Sequence, residues 1–189
     1  MTMKMTFGAA VAALALFAAP AFAQSPNDAQ IASIVVTANQ VDIDAGKLAE
    51  AKGSNADIKA FGKQMVTDHS GVNKQAVALV TKLKVTPEET DTSKGLVSSG
   101  KDTRDKLEKL DGAEFDKAYV DNEVAYHEAV INVLKTQLIP SASNKDLKDT
   151  LVSVQPAFDA HLQHAKQVQA SLSGGAGSGS GSAMAHDHK

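Results

Sequence analysis

Apolar residues along the first part of the chain recur with the period of an α-helix. Aliphatic and alanine positions from Ile31 to Leu48 repeat at alternating three- and four-residue steps, which is the spacing of one helix face. Ser25-Pro26 predicts the start of this helix, with proline at its first position, and Gly53 predicts its end. Ser54 predicts the start of a second helix with an apolar seam from Ile58 to Leu83. So short a break predicts an antiparallel helical hairpin.

Two further long seams follow a polar crossover that runs from about Lys84 to Gly112. The third predicted helix spans about Ala113 to Leu138 and is closed by Pro140. The fourth has its seam from Leu147 to Leu172 and contains Pro156, which predicts a kink or one lost backbone hydrogen bond. Four amphipathic helices without a strand pattern predict an all-α fold, a four-helix bundle.

The crossover itself predicts one short extra helix. Leu96, Leu107 and Leu110 are spaced for a weak amphipathic helix, although Gly100 is unfavourable in a helix interior. Such a crossover either carries the chain along the bundle, as in ferritin-like topologies, or lies across one end. The sequence leaves both arrangements open.

The two ends of the chain differ in composition from the helical part. Residues 1–23 predict a cleaved signal peptide, with Lys4 before an apolar run over Phe7–Phe17 and a small-x-small site that ends at Ala23. That run is shorter than the ~20 residues of a membrane-spanning helix, so an uncleaved anchor is the weaker alternative. Residues 24–172 then form the bundle domain. Residues 173–189 are rich in Gly and Ser and predict a disordered tail. The expected location is the periplasm.

Composition narrows the chemistry further. The chain has no cysteine, which excludes disulfides, thiolate metal sites and cysteine nucleophiles. Its formal net charge is -3 and it has no tryptophan and two tyrosines, so neither charge nor stacking residues indicate a nucleic-acid partner. No segment beyond the signal predicts an integral membrane helix.

Three histidines, His69, His127 and His161, lie on the apolar seams of three different predicted helices. An unpaired polar ring in a core costs roughly 1–3 kcal/mol, so three of them indicate a compensating role. With a rise of ~1.5 Å per residue, Asp42, His69 and His127 share one level, whereas His161 lies about two turns nearer one end. Glu123 lies four residues before His127 and therefore shares its helix face.

Imidazole and carboxylate together form a donor set for transition metals. The set His69, His127, His161, Asp42 and Glu123 suits zinc, copper(II), nickel, iron(II) or manganese. The alternative is a structural network in which each ring is satisfied by a neighbouring acid or tyrosine. The sequence does not decide between these two interpretations.

Catalytic signatures are not found in the sequence. A di-iron bundle needs a Glu-x-x-His pair on two helices, but Val66, Val124 and Phe158 stand three residues before the seam histidines. Neither a nucleophile elbow nor a phosphate-binding loop occurs. These absences argue against enzyme activity but leave a metal-dependent oxidoreductase open, without a motif that supports it. Asp68 is expected to be a solvated neighbour of His69, and His164 lies off the seam.

Five segments of the chain have a recognisable pattern: Asp42–Ala49, Phe61–His69, Phe115–Tyr119, Ala125–His127 and Pro156–His161. Together they resemble a known family of exported bacterial proteins. That family is known mainly as a domain of unknown function with a ferritin-like helical bundle, and its members are often labelled "predicted outer membrane protein". The resemblance covers about Ala29 to Leu172 and implies a ferritin-like four-helix fold and export, but no reaction.

Two functions follow as expectations. The first is a soluble periplasmic bundle that binds a transition-metal ion through core histidines and carboxylates, for storage, buffering or stress protection. The second is a non-catalytic structural or interaction protein of the envelope, whose seam histidines form a hydrogen-bond network. A stripe around Leu96, Leu107 and Leu110 would then be its partner surface. Partners other than the metal ion, either a second copy of the chain or an envelope protein, stay open.

Overall fold

The computed structural model describes residues 25–175, and every regular element in that range is helical. The predicted all-α bundle is confirmed. The predicted signal peptide and residues 176–189 of the predicted tail lie outside the described residues, whereas residues 173–175, expected to belong to that tail, continue the last helix. The elements are α1 (Asp28–Lys52), α2 (Ala56–Leu83), α3 (Asp91–Leu107), α4 (Gly112–Val133), a π-helical turn (Leu134–Leu138), α5 (Ile139–Ser141) and α6 (Lys145–Gly175).

The crossover carries the chain along the whole bundle. Near the start of α1, the Ala29 carbonyl accepts a hydrogen bond from the Glu88 amide at 3.1 Å. At the other end, the Lys52 ammonium donates to the Glu108 carbonyl at 2.6 Å. Helix α3 therefore runs parallel to α1, and α4 begins at the same end as α2. Two hairpins, α1–α2 and α4–α6, are thus joined by one long crossover, as in ferritin-like bundles.

Two aspartates fasten the ends of the hairpins to each other. Asp116 of α4 accepts hydrogen bonds from the Ser54 amide at 2.9 Å, the Ser54 hydroxyl and the Asn55 amide at 2.8 Å. Asp28 of α1 likewise accepts from the amides of Ser143 and Asn144 before α6. These bonds satisfy donors that would otherwise be unpaired at the helix starts. They also fix the level of one hairpin against the other.

Both predicted helix starts were wrong by one or two residues. Asn27, not Ser25-Pro26, caps α1 and forms a reciprocal capping box with Gln30. Asn55 caps α2 by accepting from the Asp57 amide at 2.7 Å, because Ser54 is engaged by α4. Serine and asparagine are equally good caps, so neighbouring candidates are separated only by tertiary contacts.

Gly100, which is unfavourable for the helix predicted in the crossover, lies where two helices pack closely. A Cβ at Gly100 would lie 2.7 Å from Val41 Cγ1, so glycine lets α3 lie directly on α1. Leu107 is 3% exposed and packs in the core with Phe115, while Leu96 is packed against the second apolar cluster. The expected partner surface on the crossover is therefore wrong, because this stripe faces the bundle.

The second hairpin contains two irregularities, both associated with proline. A π-helical turn, Leu134–Leu138, directly precedes Pro140, whose nitrogen cannot donate a backbone hydrogen bond. Helical structure continues through Ser141, beyond the predicted end at Leu138. Helix α6 runs through Pro156 to Gly175. Within residues 25–175, no helix combines the length and apolarity needed to cross a membrane.

Candidate metal site

Five ionisable side chains meet at one level in the middle of the bundle. We call them the polar layer: Asp42 on α1, His69 on α2, Glu123 and His127 on α4, and His161 on α6. None is more than 3% exposed. The three imidazole rings form a triangle whose ring centroids are 5.2–5.7 Å apart. The structure therefore brings together all five candidate residues from the sequence.

The expected offset of His161 was wrong. Its level was counted from a helix start near Ser141, whereas α6 begins at Lys145. Four residues correspond to ~6 Å of helix, slightly more than one turn. Residues 142–144 form the connection between α5 and α6 and do not belong to either helix. His161 therefore lies beside His69 and His127.

Asn39 sets the tautomer of His69. The Asn39 amide nitrogen donates to the Val35 carbonyl at 3.0 Å, so its Oδ1 faces His69 Nδ1 at 2.7 Å as an acceptor. Nδ1 must then carry the ring proton. The other nitrogen, Nε2, lies 2.8 Å from Asp42 Oδ2. In the neutral ring, that nitrogen holds a free lone pair.

His127 is held in the same tautomer by its own helix. Its Nδ1 lies 3.0 Å from the backbone carbonyl oxygen of Glu123, which can only accept. Its Nε2 is buried without a hydrogen-bond partner and lies 3.5 Å from Asp42 Oδ2. Two imidazole nitrogens, one from each hairpin, therefore face the same carboxylate oxygen.

His161 is oriented from the opposite side. Its Nε2 donates to Asp68 Oδ2 at 3.0 Å, which leaves Nδ1 as the unprotonated nitrogen of the neutral ring. That Nδ1 is buried without a partner. Asp68 was expected to be only a solvated neighbour of His69, and this expectation was wrong. A carboxylate behind an imidazole is the usual way to orient a histidine that binds metal.

The contact between His69 and Asp42 requires a proton or a metal cation between the two atoms. The 2.8 Å between Nε2 and Oδ2 is an ion-pair distance, yet neither atom has a hydrogen-bond partner of acceptable geometry. Two lone pairs this close repel unless a proton sits on the ring or a cation binds both atoms. Donor atoms of His69, His127 and His161 lie within 4.8 Å of one another, as do those of Asp42, Glu123 and His127.

Burial and mutual charge determine the protonation of the polar layer. Burial is the main cause that lowers the pKa of His127 to about 4, and burial also lowers the pKa of His161. For Asp42, burial alone would raise the pKa, but His69 and His127 together hold it below its ordinary value. Burial, and then the charge of Asp42, raise the pKa of Glu123 well above its ordinary value. At neutral pH, the His127 and His161 rings are therefore uncharged, and each has one unprotonated nitrogen that could bind a metal beside the Asp42 carboxylate.

The surrounding side chains pack the layer. Phe158 stacks on His69 with a centroid distance of 5.2 Å, and Tyr126 donates to the Ala38 carbonyl at 2.8 Å. The Tyr119 hydroxyl is buried without a partner. His164 bonds to Gln64 at 2.9 Å, outside the layer, as the sequence predicted. Sequence reasoning missed Asn39, although its position three residues before Asp42 placed it on the same helix face.

A comparison with protein families matches residues 13–168 to a model described as a domain of unknown function, DUF4142. The chain belongs to the DUF4142 family. The match confirms the predicted resemblance to a domain of unknown function and includes all five residues of the polar layer. Curated proteins and solved structures gave no match to this DUF4142 chain. Export to the periplasm remains a prediction.

Proposed function

We propose that this DUF4142 domain binds one transition-metal ion in the polar layer and stores it in the periplasm. One observation carries the proposal: Nε2 of His69 and Nε2 of His127 both face Asp42 Oδ2, at 2.8 and 3.5 Å, and each of these nitrogens has a free lone pair when its ring is neutral. A cation bound there would remove the repulsion between these lone pairs. It would also satisfy buried donor atoms that have no other partner.

The donor set defines the class of metal. Three imidazoles, from His69, His127 and His161, and the Asp42 carboxylate would form the primary set, and Glu123 offers a further oxygen once it loses its proton. Such nitrogen and oxygen ligands suit zinc, copper(II), nickel, iron(II) or manganese. Because the ligands are at most 3% exposed, exchange with solvent would be slow. Slow exchange suits storage and protection from metal stress, whereas buffering would require faster exchange.

Metal content of the loaded protein tests the proposal. The experiment uses the full chain with His186→Ala and His188→Ala, because the tail histidines could bind metal by themselves. We expect one ion per chain after loading and desalting, measured by elemental analysis. His69→Ala should abolish it, and His164→Ala is the matched control that should retain it. Metal content far below one ion per chain would refute the proposal.

A second candidate is a non-catalytic envelope protein in which the polar layer is a hydrogen-bond network. It is favoured by the short His69–Asp42 contact, which becomes an ordinary ion pair if His69 is protonated. Thermal melts with and without metal separate the two functions. If the protein stores metal, added metal should raise the melting temperature of the wild type and leave that of His127→Ala unchanged. In the network function, His127→Ala lowers the melting temperature and metal shifts neither protein.

A further inference from the structure

The hydrogen bonds that orient the three rings differ in how far they reach toward solvent. Asn39, behind His69, is 2% exposed, and the carbonyl behind His127 belongs to Glu123, which is 1% exposed. Asp68, behind His161, has 42% of its side chain exposed. Of the groups that these rings contact through hydrogen bonds in residues 25–175, Asp68 is therefore the one at the surface.

The His161 ring spans the wall between surface and layer. Its Nε2 points outward to Asp68 at 3.0 Å, and its Nδ1 lies inside, buried and without a partner. The side chain as a whole is 3% exposed. One turn along the same α2–α6 face, Gln64 and His164 form a second polar pair at 2.9 Å. Two polar pairs, Asp68–His161 and Gln64–His164, therefore lie side by side on this face between α2 and α6.

We propose that Asp68 and His161 form the access site through which a divalent transition-metal ion enters the polar layer. Asp68 holds the ion at the surface, where a carboxylate attracts cations. His161 then breaks its bond to Asp68, rotates so that its unprotonated Nδ1 meets the ion, and carries the ion inward as the ring rotates back, while the proton stays on Nε2. The inference rests on the proposed function, because it assigns the route to that same site.

Kinetics distinguish an access site from a residue that only orients His161. An access site stabilises the ion while it is in transit. It stabilises neither the metal-free protein nor the final complex. Its loss therefore slows association and release by the same factor and leaves the Kd unchanged. Loss of a purely orienting carboxylate instead weakens the final complex, typically by about 10- to 100-fold, through faster release.

The test is stopped-flow uptake of Co²⁺, followed by its absorption, and release into excess chelator. The protein is the full chain with both tail histidines replaced by alanine. Asp68→Asn removes the charge and keeps an acceptor for His161. Asp159→Asn is the matched control, because Asp159 is a similarly exposed aspartate (44% of its side chain) that pairs with Lys135 on the surface.

We expect Asp68→Asn to slow both uptake and release, on the order of tenfold, with an unchanged Kd. Asp159→Asn should change neither rate. Unchanged rates in Asp68→Asn, or faster release with a weaker Kd, would overturn the access site while leaving metal binding intact. A wild-type chain that takes up no Co²⁺ and no other divalent metal would overturn the proposed function, and this inference with it.

Discussion

Asn39 offers the sharpest test of how the polar layer is organised. Asn39 is 2% exposed, and its Oδ1 accepts a hydrogen bond from His69 Nδ1 at 2.7 Å. Asn39→Ala removes this acceptor and leaves a buried N–H group unpaired, which costs about 1–3 kcal/mol of unfolding free energy. The His69 ring then loses its fixed tautomer, so metal affinity should fall by about 10- to 100-fold.

Two measurements check this prediction. Urea unfolding in the presence of chelator gives the stability of the metal-free protein, and competition with a chromophoric chelator gives the affinity for Zn²⁺. Asn39→Asp keeps an acceptor oxygen and should restore the affinity. The control is Asn73→Ala, because Asn73 donates to the Val36 carbonyl at 3.3 Å and makes no hydrogen bond to the layer. Wild-type Zn²⁺ affinity in Asn39→Ala would refute the assigned role.

Three further predictions concern the metal-free protein and are read from denaturant unfolding. The pKa of His127 falls from 6.5 in the unfolded chain to about 4 in the folded protein. The stability that depends on the neutral ring is therefore fully present above pH 6.5 and is lost as the pH drops toward 4. Between pH 7.5 and 5, wild type should lose about 2 kcal/mol relative to His127→Gln, and parallel pH profiles would contradict this. Gly46→Ala should cost about 1–3 kcal/mol because its Cβ would lie 2.7 Å from the Gly62 carbonyl. Gly71→Ala, where a Cβ meets nothing within 4 Å, should instead gain up to about 1 kcal/mol, and equal effects would refute this difference. Asp116→Ala should cost at least about 2 kcal/mol through its lost bonds to the start of α2, and Asp149→Ala, at an exposed pair with Lys145, should cost less than about 1 kcal/mol.

The helices could be predicted from the sequence because apolar periodicity is a local signal. The seams that contain His69, His127 and His161 are visible without any knowledge of how the helices pack. Helix α3 was harder, since Gly100 is unfavourable for an isolated helix and is explained only by Val41 on α1. The direction of the crossover likewise depends on contacts between distant segments, such as Ala29 with Glu88.

The sequence predicted which residues form the polar layer, but not how they are arranged. The level of His161 depends on where α6 begins, and the π-helical turn before Pro140 has no clear sequence signal. Asp68 could not be assigned a partner, because that partner comes from α6, 93 positions further along the chain. The protonated nitrogen of each ring follows from acceptors on three different elements. Spacing along one helix contains no such information.

The polar layer also has a consequence for how the two hairpins find their alignment. Hairpin α1–α2 supplies Asp42 and His69, and hairpin α4–α6 supplies the other three side chains. A slide of one hairpin by a single turn, about 5.4 Å, would separate Asp42 from His127 and place polar rings against aliphatic neighbours. Aliphatic layers above and below would tolerate such a slide, because apolar contacts are not directional. The polar layer therefore acts as a register mark, which makes one of several similar dockings the native one.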